Sequence, residues 1–379
     1  MGARKRLYVK ELNLINFRNY SRFHTDFNSK YNIIYGKNAQ GKTNILEAIF
    51  LCSSGRSHRT KKDAELIKFE ENSYYVKLKV NRDHTENEIE FFCSKTEGKK
   101  IKINSIPVKK NVELMGKLNT VMFSPEDLSI IKGSPSERRR FIDIAISQIK
   151  PSYFYNLQRY KKILAERNYL LKDIGKNSKF KSSLEIWNES LADTGSKIIK
   201  ERKSFIENLN EIVKSKHKEL TAENETLNIQ YQPSVKIDSN WNLNEIKDAF
   251  LKSLEEYFDR EIKNSNTLIG PQRDDISIFV NGNDVKLYGS QGQQRTVVLS
   301  IKLSEVEIVQ SLTGELPVLL LDDVFSELDE KRQQYLIENI KGMQVFITTT
   351  EKELVKFYEN TSEISLYEIE NGKIVNTIK

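Results

Sequence analysis

The chain has 379 residues, 30% of them charged, and a formal net charge of +7. That length supports two domains and a sizeable core. With no run of 18 apolar residues, no membrane-spanning helix is expected. The excess of Lys and Arg suits a polyanionic partner such as nucleic acid, and equally a solvated surface. The start, Met1 to Arg6, is basic and lacks the apolar run of a signal peptide. Gly2 lacks the Ser or Thr that myristoylation uses four residues on, where Arg6 stands. Two cysteines, Cys52 and Cys93, are too few for a disulfide framework, so a reducing cytoplasm is the expected setting. His24, His58, His84 and His217 show no ligand spacing, and no zinc site is expected.

Residues 7 to 35 read as strands, with Leu7, Val9, Leu12 and Leu14 leading into Phe17, Arg18, Asn19 and Tyr20. The short apolar run Tyr31 to Tyr35 precedes Gly36-Lys37-Asn38-Ala39-Gln40-Gly41-Lys42-Thr43, which fits the P-loop pattern G-x-x-x-x-G-K-[ST]. Ile45, Leu46, Ile49 and Phe50 follow at helical spacing. The order strand, glycine loop, helix turns backbone N–H groups and the positive end of a helix toward a phosphate. In that pattern Lys42 reaches the β- and γ-phosphates of a nucleotide triphosphate and the Thr43 hydroxyl holds Mg²⁺.

A basic loop, Ser57 to Lys62, comes next, then strand-like runs at Tyr74–Val80, Glu88–Ser94 and Lys100–Ile106. Together they predict an antiparallel sheet flanking the P-loop sheet. Val121 to Ser124 is another short strand. Arg138, Arg139 and Arg140 fall at a helix start, where cations oppose the helix dipole; such a placement calls for an internal carboxylate or an external phosphate. Residues 141 to 264 read as a mainly helical insertion. Pro151–Leu171 is amphipathic and ends by Gly175, Leu184 to about Leu220 is a long core-facing helix, and Ile246–Ile262 is a further helix. Leu227, Ile229 and Tyr231 alternate like a strand. Residues 1–140 and 265–379 form the remaining, discontinuous domain. In it, Ile276–Val280 and Val285–Tyr288 read as strands flanking the turn Asn281 to Asp284.

Gly289 to Arg295 precede the apolar helix Val297 to Val309, a second N-terminus suited to an anion. Pro317 to Leu321 is a buried parallel strand that ends in Asp322 and Asp323, the Walker B arrangement. Asp322 is placed to share Mg²⁺ with Thr43, and Asp323 to orient or deprotonate water. Ser326-Glu327-Leu328-Asp329 starts a helix, and Gln344 to Thr350 is a further buried strand ending in hydroxyls.

These pieces resemble the ABC-type ATPase heads and, within them, the RecF family of DNA repair proteins. Ser290, Gly292 and Gln293 match the ABC signature, and Ser326 to Asp329 the D-loop. Pro125 to Asp143, Gly270 to Asp275 and Leu320 to Leu336 resemble RecF stretches in order and spacing. The resemblance implies an α/β fold: an ABC-type P-loop head with a flanking antiparallel sheet and an inserted helical lobe. It implies binding of ATP by Gly36 to Thr43 and Asp329, of Mg²⁺ by Thr43 and Asp322, and catalytic roles for Lys42 and Asp323. It also implies an ATP-dependent homodimer in which Ser290, Gly292 and Gln293 complete the site of a second copy; the shorter reach of Asp323, where many ABC ATPases carry Glu, makes slow hydrolysis the expectation. Single- or double-stranded DNA is the implied partner, bound with little sequence preference, and RecO and RecR act alongside. The implied process is cytoplasmic: recombinational repair of gaps, replication restart and the SOS response. The departures are Asp323 where many ABC ATPases carry Glu, Gln272 where the family is expected to carry His, and Thr349 or Thr350 in the place of a switch His. No Q-loop glutamine is assigned; Ser124 to Glu126 is the place to seek one. Two other classes share the core motifs. A transporter subunit needs a membrane partner and a shorter interval between Thr43 and Ser290, and a structural clamp of SMC type needs a longer coiled coil than this insertion supplies.

Overall fold

The computed structural model describes residues 7–83, 85–174, 181–238, 240–350 and 363–378. Met1 to Arg6, His84 and Gly175 lie outside them. Two compact units form, one from residues 1–127 and 299–379 and the other from residues 128–298.

The first unit holds two six-stranded sheets. One is antiparallel and begins with β1 (Leu7–Phe17) and β2 (Tyr20–Asp26). It continues through β4 (Ser73–Arg82), β5 (Thr85–Ser94), β6 (Gly98–Ile103) and the two-residue β7 (Ile106–Pro107). Val76, Leu78 and Val80 are fully buried while their neighbours along β4 are half-exposed, the period-two pattern of a sheet with one buried face. The other sheet is built around β3 (Tyr31–Tyr35), paired in parallel with β13 (Val345–Thr349) and β14 (Ile364–Glu370). β12 (Val318–Asp322) lies between β13 and β8 (Thr120–Phe123), also in parallel, and β15 (Lys373–Ile378) closes the far edge antiparallel to β14. β12 and β13 are buried at every residue, as strands covered on both faces must be. The Gln344 side chain joins the two sheets: its Oε1 accepts from Val9 N (2.6 Å) and its Nε2 donates to Val9 O (2.8 Å), at the point where β1 slips register.

The second unit is helical around a three-stranded sheet of β9 (Leu227–Gln232), β10 (Asp275–Val280) and β11 (Asn283–Asp284). A short turn of helix, α2 (Ser129–Lys132), leads to α3 (Pro135–Ile149), α4 (Pro151–Ile174), α5 (Lys181–Leu220) and α6 (Leu243–Asn264). Buried ion pairs cross this core. Arg167 and Glu261, both fully buried, meet at 2.6 Å. Arg202 reaches Asp143 (2.9 Å) and Asp274 (3.1 Å). Charges this deep persist only when fully partnered, and Tyr153 and Ser234 N supply further bonds to Asp143 and Asp274.

Two expectations change. The units divide at 127/128 and 298/299 rather than at 140/141 and 264/265. β10 pairs with β9 over its whole length, and Arg138 of α3 holds Asp275, so residues on both sides of the expected insertion belong to its core. Val285–Tyr288 is not a strand but the helical turn α7. Asn281 and Gly282 both have positive φ, which closes a two-residue hairpin at Val280↔Asn283. The Asp284 side chain then accepts from Lys286 N and starts the helical turn.

Candidate nucleotide site

In the first unit β3 runs directly into the glycine loop, and α1 (Lys42–Ser54) leaves it. The loop needs its glycines. Gly36 has φ 149°, and a Cβ there would come within 2.4 Å of Ile369 O. Gly41 has φ 110°, and a Cβ there would meet the Asn19 side chain at 2.6 Å and Tyr20 Oη at 2.9 Å. The loop is braced from behind. Tyr20 donates to Gly41 O (3.0 Å), Asn19 Nδ2 to Gln40 O (2.9 Å), and Gly372 N to Gln40 O (3.2 Å). Its crest, Lys37 to Ala39, is exposed. Lys42 is buried, and its ammonium donates to the loop's own carbonyls at Gly36 (2.7 Å) and Lys37 (2.8 Å). Burial lowers its pKa against the pull of Asp323 and Asp322.

The end of β12 delivers Asp322 to the start of α1. Asp322 Oδ1 accepts from Thr43 Oγ1 (2.8 Å) and from Thr348 Oγ1 (2.6 Å). Burial raises its carboxyl above the usual range, and the two hydroxyls pull it back only in part. Asp323 adopts a left-handed φ of 51°, an uncommon state for a residue other than glycine. Its N–H is fixed by Thr348 Oγ1 (3.0 Å), while its Oδ1 is buried with no hydrogen-bond partner among the described residues. A divalent cation fits this donor set. Asp322 and Thr43 are hard oxygen ligands already in contact, and the next residue, Asp323, holds a buried carboxylate oxygen without a partner among the described residues. Mg²⁺ would supply neutralisation of phosphate charge there.

Around the first turn of α1 lies a charged network. Arg18 clamps Glu47 through two bonds (2.9 and 2.7 Å), and Ser57 also donates to Glu47. Burial raises the Glu47 carboxyl, but Arg18 and Ser57 outweigh it, so the net shift is downward. Arg59 of the basic loop donates to Asn44 Oδ1 (3.1 Å) and stands 4.0 Å from Glu126. Asp329 caps α9 (Glu330–Asn339), accepting from Arg332 N (2.9 Å).

The second unit carries the signature segment. Ser290 and Gln293 form a reciprocal cap at the start of α8 (Gln291–Thr313): Gln293 N donates to Ser290 Oγ (3.2 Å), and Ser290 N donates to Gln293 Oε1 (2.9 Å). Ser290 to Gly292 are exposed. A Cβ at Gly292 would meet nothing nearer than Ser290 Oγ at 4.0 Å, so nothing in the chain's own packing requires that glycine. Arg138 is buried and bound to Asp275 by two bonds (2.6 and 2.8 Å), and Arg139 donates to Asp274 O (2.6 Å). Of the two partners open for the arginine run, Arg138 and Arg139 have internal ones. Gln272 is structural as well, accepting from Tyr160 and donating to Ile269 O (2.7 Å).

A family model described as the RecF/RecN/SMC N terminal domain matches residues 8–373. A protein named DNA replication and repair protein RecF from Acetivibrio thermocellus is 51% identical, covering 92% of this chain and 94% of its own. This chain belongs to the RecF family. A RecF of the same name from Alkaliphilus oremlandii is 46% identical over 94% of this chain and the whole of its own. A solved structure described as the recombination mediator protein RecF-ATP in the RecFOR pathway superposes with a TM-score of 0.92 at 41% identity, over 100% of this chain and 99% of that one. An Smc head domain from Pyrococcus furiosus, at 18% identity and a TM-score of 0.54, shares the fold. The α/β head with its flanking antiparallel sheet and helical lobe is thus the RecF/SMC type that the motifs imply.

Within this RecF-family head, Gly36 to Thr43, Asp322 and Asp323 meet in the first unit, while Ser290, Gly292 and Gln293 stand in the second. Three site features escape the sequence reading: Thr348 as the hydroxyl on Asp322, the brace of Asn19 and Tyr20 behind the loop, and the Glu47 clamp. Thr348 had a partial signal in the hydroxyl run Thr348 to Thr350. The others had none.

Proposed function

We propose that this chain is an ATP-switched, DNA-binding member of its family, acting in recombinational repair of gaps, replication restart and the SOS response, alongside RecO and RecR, in the cytoplasm. The observation that carries the nucleotide reading is the contact of Thr43 with Asp322 beside an unpartnered Asp323 oxygen. Gly36 to Thr43 bind the phosphates of ATP, Lys42 leaving its loop carbonyls for phosphate oxygens. Thr43 and Asp322 hold Mg²⁺, and Asp323 directs water. The short carboxylate at 323 makes hydrolysis slow, so ATP works as a switch.

The signature segment supports a dimer. Its hydroxyl and the start of its helix are exposed, and its glycine serves no internal packing, as a surface that a second copy's γ-phosphate approaches would require. A two-fold dimer then buries two nucleotides, each between one P-loop and the other copy's Ser290, Gly292 and Gln293. ADP holds such a dimer poorly, and DNA favours it by linkage. The net charge of +7 supports DNA binding that falls steeply with salt, with Arg138 left out of the contacting set by its burial.

Mass measurement in solution with ATP, ADP and no nucleotide tests this reading. A dimer with ATP and Mg²⁺ alone, blocked in Ser290→Arg with single-copy ATP binding intact, is the expected result. A wild type that stays monomeric with ATP, Mg²⁺ and DNA at high concentration overturns it.

A further inference from the structure

The amide of Gln293 is held at both ends. Its Oε1 accepts from Ser290 N (2.9 Å), and its Nε2 donates to Glu225 Oε1 (2.8 Å). An acceptor facing an N–H and a donor facing a carboxylate allow only one orientation of the amide. The other oxygen of Glu225, Oε2, lies 3.0 Å from Nε2 of His217, which is fully buried in the last turn of α5. Glu225 thus stands between the end of the 40-residue helix α5 and the signature segment.

Glu225 is itself fixed by the turn that carries it. Ala222 and Glu223 take left-handed φ angles of 51° and 64°, a conformation that costs a residue with a side chain and persists only where the surroundings impose it. Glu223 N donates to Lys218 O (2.8 Å), closing the turn onto α5. On the other side, Asn281 Oδ1 accepts from Thr226 N (2.8 Å) and Thr226 Oγ1 (3.0 Å), and Asn281 N donates to Thr226 O (2.9 Å). The turn is pinned to the helix before it and to the β10–β11 hairpin after it, with Glu225 between the two pins.

We infer that Glu225 is a positioning residue of the signature segment. It sets the Gln293 amide, and through it the Ser290 cap and the start of α8, in the arrangement that receives a nucleotide bound by a second copy. His217 seats Glu225 in turn, so a displacement of the last turn of α5 reaches the signature through one carboxylate. The inference rests on the dimer reading above. It adds a residue that none of the motifs contains.

The test separates dimerisation from nucleotide binding in the full chain. Fluorescent ATP titration reads the single-copy site, and sedimentation with ATP and Mg²⁺ reads the dimer. Glu225→Ala is expected to keep ATP affinity within about twofold and to weaken the dimer about tenfold, the size of a lost hydrogen bond to a charged group. Glu225→Gln, whose carbonyl still accepts from Gln293, is expected to restore most of that loss. A residue that merely stabilised the fold would lower melting temperature and ATP affinity together, without that selective rescue. If the alanine variant does not fold, Glu225→Asp, shorter by one methylene, takes its place with the same expected split. Wild-type dimerisation in the folded variant overturns the inference while leaving the dimer reading intact. A wild type that never dimerises overturns both.

Discussion

Two segments of this chain lead into the start of a helix, and they are held in opposite ways. The loop Gly36 to Thr43 is over-determined. Two glycines sit at positive φ where any side chain would collide, and three hydrogen bonds brace the back. At its end Lys42 and Thr43 are already bound, to loop carbonyls and to Asp322. The segment Ser290 to Gln293 caps itself, is exposed from Ser290 to Gly292, and draws outside support through Glu225. A site that binds its ligand within one copy is built before the ligand arrives. A surface proposed to meet another copy is left open, and at Gly292 a Cβ would meet nothing nearer than 4.0 Å. Under the proposed dimer, the difference teaches that the two halves of the nucleotide site would fail differently: the first by losing ATP, the second by losing the partner.

The largest expected effect lies in the first half. Asp323→Asn removes the unpartnered carboxylate charge and almost no volume, so ATP binding should persist while turnover drops a hundredfold or more, the range of a lost general base. Single-turnover measurement checks it, and turnover at the parent rate would move the water-directing role off Asp323. Lys42→Ala comes next. Losing a charged donor to phosphate should weaken ATP binding about 100-fold, with far-ultraviolet circular dichroism unchanged. Unaltered affinity in a nucleotide titration would end the comparison, since the loop would then not be the binding half.

The two glycines give the sharpest contrast. Gly36→Ala forces a Cβ against a backbone oxygen at 2.4 Å, so it should cost about 2 kcal/mol of stability or more. Gly292→Ala meets open space, so the melting temperature should stay within about 1 °C while ATP-driven dimerisation weakens. Equal effects of both on stability, or neither on dimerisation, would erase the distinction drawn above.

Much of this was legible in the chain because the chemistry is local. The strand, glycines, Lys42 and Thr43 are consecutive, and the apolar run into Asp322 and Asp323 announces a buried strand ending at a ligand edge. What could not be read depends on partners distant in sequence. Arg138 finds Asp275, 137 residues on, and its position at a helix start pointed as well to phosphate as to carboxylate. Thr348, Thr349 and Thr350 look alike in sequence; only the pairing of Asp322 with Thr348 across β12 and β13 selects the first. Val285 to Tyr288 has β-prone residues, yet the two-residue hairpin and the Asp284 cap decide for a helical turn. Glu225 sits in a polar turn with no pattern at all, and its role follows from where Gln293 lies.

The smallest expected effect tests the edge of the first half. Asp127 follows β8 in sequence, its Oδ2 accepting from Ser124 N (2.7 Å). Burial pushes its carboxyl up to about 6 from 3.8, against the attraction of Lys302; Glu305 and Glu126 add to the rise. Lys302 is itself tied to Glu305 at 2.5 Å. A carboxyl whose pKa is higher in the folded state is favoured there when neutral. Its contribution to stability is therefore fully present below about pH 4 and is lost as the pH rises through about 6. Asp127→Asn stays neutral throughout and keeps an oxygen for Ser124 N. The melting temperature of the wild type relative to this variant should thus fall by about 2 °C between pH 4 and pH 7, with the change spread between about pH 4 and pH 6 and levelling off above it. Thermal scans of both proteins across that range measure the difference. A flat difference would mean that Lys302 neutralises Asp127 fully, leaving no cost in its ionised form. A difference that rises with pH would mean that the pairing with Lys302 outweighs burial.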